Sequence, residues 1–244
     1  MTQQHTRWGL WALAVAVALG FCALGNWQLQ RMHFKQGLLD QAAHVREQVV
    51  PLAPAVDAGQ LAWAQGQGRW LPGQVLLDNQ MREGQAGLKV YQPLQLLDAE
   101  PILLVDLGWV AWQPGRKLPL LTPQQGTLQL RGLLVAPPSA GLALGRAMMP
   151  AGPAKTWLAT RIEPAVVADA LQLRDISPQV LRLDPDLPIG YQRDLELLPN
   201  TLPPARHLGY AVQWFALALA VLICALVVEW RSRRAPRQAR NRRA

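Results

Sequence analysis

WGLWALAVAVALGFCALGNWQLQ (residues 8–30) contains no Asp, Glu, Lys or Arg. LGYAVQWFALALAVLICALVV (residues 208–228), near the other end of the chain, contains none either. At about 1.5 Å per helical residue the two runs reach roughly 34 and 32 Å, against a hydrocarbon core of about 30 Å. A soluble helix of that length carries a polar face, and neither run has one. The sequence therefore predicts two transmembrane helices, over 8–30 and 207–230, with a large domain between them.

Charge sets the orientation. The chain of 244 residues carries a formal charge of +8, but residues 231–244 (RSRRAPRQARNRRA) alone hold seven Arg and no acid. Residues 31–206 hold sixteen basic and fifteen acidic residues and are nearly neutral. Lys and Arg beside a span keep a short tail in the cytoplasm, so the tail reads as a topology anchor attracted to anionic lipid. A nucleic-acid arm is disfavoured, because no basic or aromatic stripe follows in the folded part. Arg7 marks the N-terminal flank in the same sense, although Arg31 and Lys35 across the span weaken it. The expected layout is a cytoplasmic N-terminus (1–7), a first span (8–30), an outer domain (31–206), a second span (207–230) and a cytoplasmic Arg-rich tail (231–244). A cleaved signal peptide is the competing account of the N-terminus. The apolar run exceeds the roughly 7–15 residues of a signal core, and Phe21 before Cys22 spoils a lipoprotein signal, so the first span reads as retained. Cys22 and Cys224 both lie in the spans, so the outer domain has no cysteine and stands on its core.

Within 31–206, short apolar runs broken by Gly, Pro and Asn read as strands. GRWL (68–71) and QVLLD (74–78) flank the turn dipeptide Pro72-Gly73. GLKVYQPLQLL (87–97) and PILLVDLGWVAW (101–112) form a hairpin about Asp98-Ala99-Glu100. TLQLRGLLVA (127–136) and QVLRLD (179–184) alternate with period two. Glu163-Pro164 opens a helix, EPAVVADALQL, and residues 32–49 continue the first span as helix. The expected fold is a membrane protein with two transmembrane α-helices flanking an α+β, mainly antiparallel β domain, barrel-like if the sheet curls. The Pro-rich stretch 137–153 reads as a loop, and 196–205 as the lead back to the membrane.

No catalytic motif stands out: there is no GxSxG, P-loop, HExxH or CxxC. Asp184 and Asp186 flank Pro185 and read as turn residues. The membrane rim is richer. Pro203-Pro204 starts the second helix, and His207 falls in its first turn. On a 100° wheel His207, Ala211, Trp214 and Ala218 form one stripe, with Tyr210 at its border. The first span offers small residues at Ala12, Ala16, Gly20 and Ala23, leading to Trp27, which favours close helix packing. Two readings of His207 stand. A helix N-terminus favours a neutral ring with a free lone pair, which is what an axial haem ligand requires, with Arg31 and Arg206 placed to pair with propionates. The other is an interfacial His hydrogen-bonded to headgroups or to the domain above. His33 is a candidate second ligand or simply solvated. Trp109 and Trp112 read as core or rim packing. Met148-Met149 offers a weak copper site.

Leu24-Gly25-Asn26-Trp27-Gln28-Leu29-Gln30-Arg31, followed by Lys35, resembles the LGxWQxxR…K signature of the Surfeit-locus family of cytochrome c oxidase assembly factors. Gly68, Leu77-Asp78-Asn79, Gly87, Pro93-Leu94, Val105-Asp106-Leu107-Gly108-Trp109-Val110 and His207-Leu208-Gly209-Tyr210-Ala211-Val212-Gln213-Trp214-Phe215 continue the match in order. Leu107 departs from it, where many members carry Arg. The resemblance implies a multi-pass protein of the bacterial inner membrane, both termini cytoplasmic and the main domain periplasmic. It implies work with oxidase subunit I and the haem a biosynthesis and assembly proteins, haem a as a cofactor held at His207 with Trp214 contributing to its pocket, and no enzymatic reaction; Tyr210, Arg31 and Arg206 join this candidate site by their expected place at the rim. A cofactor-free scaffold for subunit I is the alternative function.

Overall fold

The computed structural model describes residues 2–138, 145–195 and 202–241, with side chains from 7 to 234 within them. The chain divides into two compact units, one formed by its two ends up to Leu39 and from Thr201, the other by Asp40–Asn200.

The first unit consists of two long helices, α1 (Thr2–Val45, which runs on into the second unit) and α4 (Pro204–Asn241). Both are long and apolar enough to cross a membrane, and only 11% of each apolar window is buried. A core helix of a soluble protein would bury that surface; here it remains open on most sides, which suits lipid and not water. The first span continues as helix well past its apolar part, as the sequence predicts for residues 32–49, and ends near Val45.

The second unit is a nine-stranded sheet with two short helices. Its strands are β1 (Val49–Pro51), β2 (Ala62–Trp70), β3 (Gln74–Arg82), β4 (Gln85–Leu96), β5 (Ile102–Ala111), β6 (Thr127–Val135), β7 (Met148–Gly152), β8 (Thr156–Ala159) and β9 (Ile176–Leu183). They run in the order β1-β2-β6-β9-β5-β4-β3-β8-β7, and a further pairing of β2 with β4 closes β2, β6, β9, β5 and β4 into a ring. The long strand β4 makes this closure. Its first half pairs with β3, and its last residues (Leu94–Leu96) pair with β2 at Gly68–Trp70. Six of the strand pairings are antiparallel; β1–β2, β3–β8 and β5–β9 are parallel.

Side-chain alternation divides the core in two. Leu103, Val105 and Leu107 of β5, Leu130 and Leu134 of β6, and Leu181 and Leu183 of β9 meet on the face shared by all five ring strands, where α2 (Leu52–Ala58) adds Leu52 and Val56. Leu104, Leu133, Tyr91 and Val180 point the other way, under Val167 and Leu171 of α3 (Pro164–Leu171). Pro164 opens α3 as expected, its missing N–H costing nothing at a helix start. Leu107, at the position where the family resemblance leads one to expect Arg, is fully buried in the inner cluster.

Two expectations need correction. The stretch 137–153 is not wholly loop, since its last residues form β7; residues 139–144 lie outside the described part. Pro150 sits in this strand at the end of the sheet order, where a missing ladder donor is tolerated. Asp184 does turn the chain, its Oδ1 accepting from the Asp186 N–H at 3.1 Å, but it is also buried and ion-paired with Arg131. Of the return segment 196–205, residues 196–201 lie outside the described part, and α4 begins at Pro204.

Candidate functional site

The two apolar helices meet along one seam. On α4 the residues withdrawn from the surface include His207, Ala211, Trp214 and Ala218, the stripe expected from the helical wheel. On α1 they include Ala14, Ala18, Phe21, Gly25, Gln28 and Lys35. The alternating spacing of four and three keeps such a set on one side of a helix.

The small-residue stripe expected on α1 faces elsewhere: Ala12, Ala16, Gly20, Ala23 and Trp27 are all exposed. The seam uses a different set of small residues, Ala14, Ala18 and Gly25, together with specific pairings. The Phe21 and Trp214 rings stack with centroids 5.6 Å apart and planes inclined by 28°. Gly25 makes room for Phe215; a Cβ there would lie 2.8 Å from the ring. Lys35, buried, donates from Nζ to the Leu202 carbonyl at 2.5 Å, just before α4 begins. At the other end Arg7 pairs with Glu229, whose carboxylate also accepts from Arg233 Nε at 2.6 Å.

The polar centre of the seam is His207, only 6% exposed. Its Nδ1 lies 2.7 Å from Gln28 Oε1. An amide oxygen only accepts, so this contact assigns the proton to Nδ1 and the lone pair to Nε2. Nε2 is buried with no hydrogen-bond partner among the described residues. Along α1, Gln28 is twenty-one residues from Arg7, and along α4 His207 is twenty-two from Glu229. The two polar pairs are thus about 32 Å apart along the helices, close to the roughly 30 Å of a hydrocarbon core. A bilayer fitted to the ionic pair at one face puts His207 at the other.

Of the five residues singled out from the sequence, His207 and Trp214 share this seam. Tyr210, Arg206 and Arg31 are exposed around its end, and the Arg31 guanidinium stands 5.5 Å over the exposed Phe34 ring. His33 is exposed as well. Gln28, Phe21, Gly25 and Lys35 were passed over as site residues, although their spacing from one another was legible as a seam. The donor chemistry suits a haem iron: a neutral imidazole with its one N–H, on Nδ1, held by an amide oxygen and a free Nε2.

A second polar concentration lies in the β domain. Asp106, 4% exposed, accepts from Lys89 Nζ at 3.0 Å and from the Gly108 N–H at 3.0 Å, with Arg182 Nε 3.7 Å away. Asp194 accepts from Arg82 at 2.5 Å and lies 3.4 Å from Arg182. Arg193 caps the carbonyls of Asp184, Leu187 and Ile189. Burial pulls its guanidinium below the ordinary value, and Asp106 and Asp184 oppose this. Gly108, at φ +115°, forms the bulge of β5; a Cβ there would strike the Tyr191 and Gln192 carbonyls. These groups are spent on one another and hold the fold. Trp109 and Trp112 pack here too, donating to the Gln80 carbonyl at 2.8 Å and to Asp78 at 3.0 Å. Met148 is buried and Met149 exposed on consecutive positions of β7, so the pair does not face one ion.

Two apolar helices joined by a buried imidazole–amide pair, carrying a ring-closed β domain between them, define a membrane-anchored protein. Residues 15–219, most of the chain, match the model of the SURF1 family, and the chain belongs to that family. No curated protein matches it significantly. Membership is consistent with a part in cytochrome c oxidase assembly.

Proposed function

We propose that this protein helps haem a reach subunit I of cytochrome c oxidase, holding the iron through His207 Nε2 in the bacterial inner membrane. The observation that carries the reading is the buried His207 whose Nε2 has no partner while Nδ1 is engaged by Gln28. A buried polar atom left unsatisfied costs about 1–3 kcal/mol, and a bare imidazole nitrogen is of a type that binds iron. Trp214, about two turns further along α4, stacks on Phe21 in the same seam and gives it an apolar neighbour. Arg31, Arg206 and Tyr210 line the aqueous rim, where carboxylates would sit. Haem, when bound, supplies an iron centre that needs one neutral imidazole; the chain supplies that imidazole, fixes its orientation and keeps it from water. No reaction is assigned: the role is escort and placement.

The Arg-rich tail argues that both termini face the cytoplasm and residues 31–206 the periplasm. An alkaline phosphatase reporter joined within 31–206 should be active, and an inactive one overturns this orientation. Protein purified in mild detergent from cells that make haem a should show a Soret band, and His207→Ala should lose it. If His207→Ala keeps both the band and oxidase assembly, the haem reading falls. If the unaltered protein carries no haem and His207→Ala still supports assembly, the protein acts as a cofactor-free scaffold for subunit I.

A further inference from the structure

We infer that Gln28 is the positioning residue of this site: its side-chain oxygen fixes the tautomer and orientation of His207, so that the unprotonated nitrogen is Nε2. The inference deepens the haem reading by naming the residue that prepares the ligand, yet its central measurement needs no haem.

The geometry is specific. Nδ1 and Oε1 are 2.7 Å apart, a full hydrogen bond, and His207 is buried, so little water competes for either atom. The opposite arrangement, with the Gln28 amide turned to donate, would move the ring proton to Nε2. That N–H would then be buried with no acceptor among the described residues. A buried N–H without an acceptor is disfavoured, whereas a bare lone pair is what an incoming electrophile needs.

Gln28 does not reach His207 by chance of rotamer. Contacts fix the helix register on both sides of it: Phe21 on Trp214 and Gly25 under Phe215 toward one end, Lys35 on the Leu202 carbonyl toward the other. Residues 21, 25, 28 and 35 lie on one face of α1, so locking three of them places the fourth. The side-chain type matters as well. A carboxylate at this position would favour an imidazolium and bring a net charge to the membrane rim, while a neutral amide orients the ring and leaves it uncharged. Partners that hold the second nitrogen of a ligating His typically alter metal affinity by about 10–100-fold.

The test uses the full-length haem-free protein in detergent, labelled with 15N-histidine, with His207→Ala identifying the signals of that ring. The unaltered protein should show Nδ1 protonated and Nε2 bare. Gln28→Leu, and Gln28→Met as a variant of similar length, should shift the ring toward the other tautomer or a mixture. Gln28→Glu, which keeps an acceptor oxygen, should retain the Nδ1 proton. A proton on Nε2 in the unaltered protein, or an unchanged tautomer in whichever of Gln28→Leu and Gln28→Met folds, overturns the inference. With iron protoporphyrin as probe, Gln28→Met should weaken binding about 10–100-fold and Gln28→Glu should lower the iron's reduction potential. Equal affinity in His207→Ala and the unaltered protein would instead defeat the haem reading, and the ring measurement would still decide the role of Gln28.

Discussion

In the β domain Gln92 is fully buried, and its side chain makes three hydrogen bonds, to the Leu71 carbonyl at 3.0 Å, the Gln124 carbonyl at 2.9 Å and the Gln124 N–H at 2.8 Å. Asp106, nearly as buried, is matched by Lys89, Arg182 and the Gly108 N–H. In the helical unit His207 is buried to a similar degree and spends only one of its two nitrogens. The contrast separates networks such as those of Gln92 and Asp106, which serve the fold, from an imidazole with one nitrogen left bare. Gln74 Nε2, Gln179 Oε1 and the Tyr91 hydroxyl of the β domain are likewise buried without a hydrogen-bond partner among the described residues, so the contrast rests on chemistry: of these atoms the imidazole nitrogen is the one suited to a metal.

The contrast is sharpest at Asp106, where the largest effect is expected. Asp106→Ala would leave Lys89 and Arg182 deprived of a buried counter-charge and the Gly108 N–H without its acceptor. Removing one partner of a buried pair costs about 3–5 kcal/mol. Chemical denaturation followed by tryptophan fluorescence should show a loss of that size, with little refolding to the native signal. A loss below about 1 kcal/mol would mean the cluster is solvated and does not hold the fold.

In the seam a smaller loss is expected, and with a different character. Gly25→Leu would drive a branched side chain into the Phe215 ring, separating α1 from α4 where Gln28 must meet His207. Overpacking of this kind costs about 1–3 kcal/mol. The β domain has its own core and should melt as before, while a cysteine pair placed at positions 21 and 214 should cross-link less readily than in the parent. Unchanged cross-linking would show that Gly25 does not set the approach of the helices.

Much of this arrangement was legible in the residues. Apolar length gave both spans, period-two alternation gave β6 and β9, and a Pro beside Glu163 gave the start of α3. The hairpin about Asp98–Glu100 joins β4 and β5 as its turn chemistry indicates. Closure of the ring was not legible in detail, because it rests on Gly68–Trp70 of β2 meeting Leu94–Leu96 of β4, a long-range register no local pattern encodes. β7 and β8 hid because they are short and carry Pro or Gly, and α2 because its sequence LAPAVDA is too brief for a helical period. At the site, His207 and Trp214 stood out by type and phase. Gln28 did not, since a polar residue in the last turn of a span reads as an ordinary rim group until its partner is placed opposite it.

Tyr91 is where the comparison is most exposed to failure, and the expected effect is the smallest. It is a fully buried residue of the β domain whose hydroxyl has no partner among the described residues, so the same logic would count it as held open. Its surroundings say otherwise. Burial pushes its phenol well above the ordinary value, the Asp106 carboxylate pushes the same way, and Arg182 opposes them, so the group stays neutral, and a neutral phenol is a far poorer metal ligand than an imidazole. The unfolded chain ionises Tyr near pH 10, while the folded chain holds this proton to higher pH. The unfolded state is therefore the one that gains from losing the proton. Stability from this residue is complete below about pH 10 and declines above it by about 1.4 kcal/mol per pH unit, until the folded phenol also titrates. Tyr191, half-buried and also raised by burial, adds to that decline, so Tyr91→Phe should shallow the alkaline slope without removing it. At neutral pH the same substitution deletes an unsatisfied hydroxyl and should change stability by no more than about 1 kcal/mol in either direction, leaving oxidase assembly intact. A folded Tyr91→Phe protein that fails in assembly would put an open polar site in the β domain as well, and the division between the two units would no longer hold.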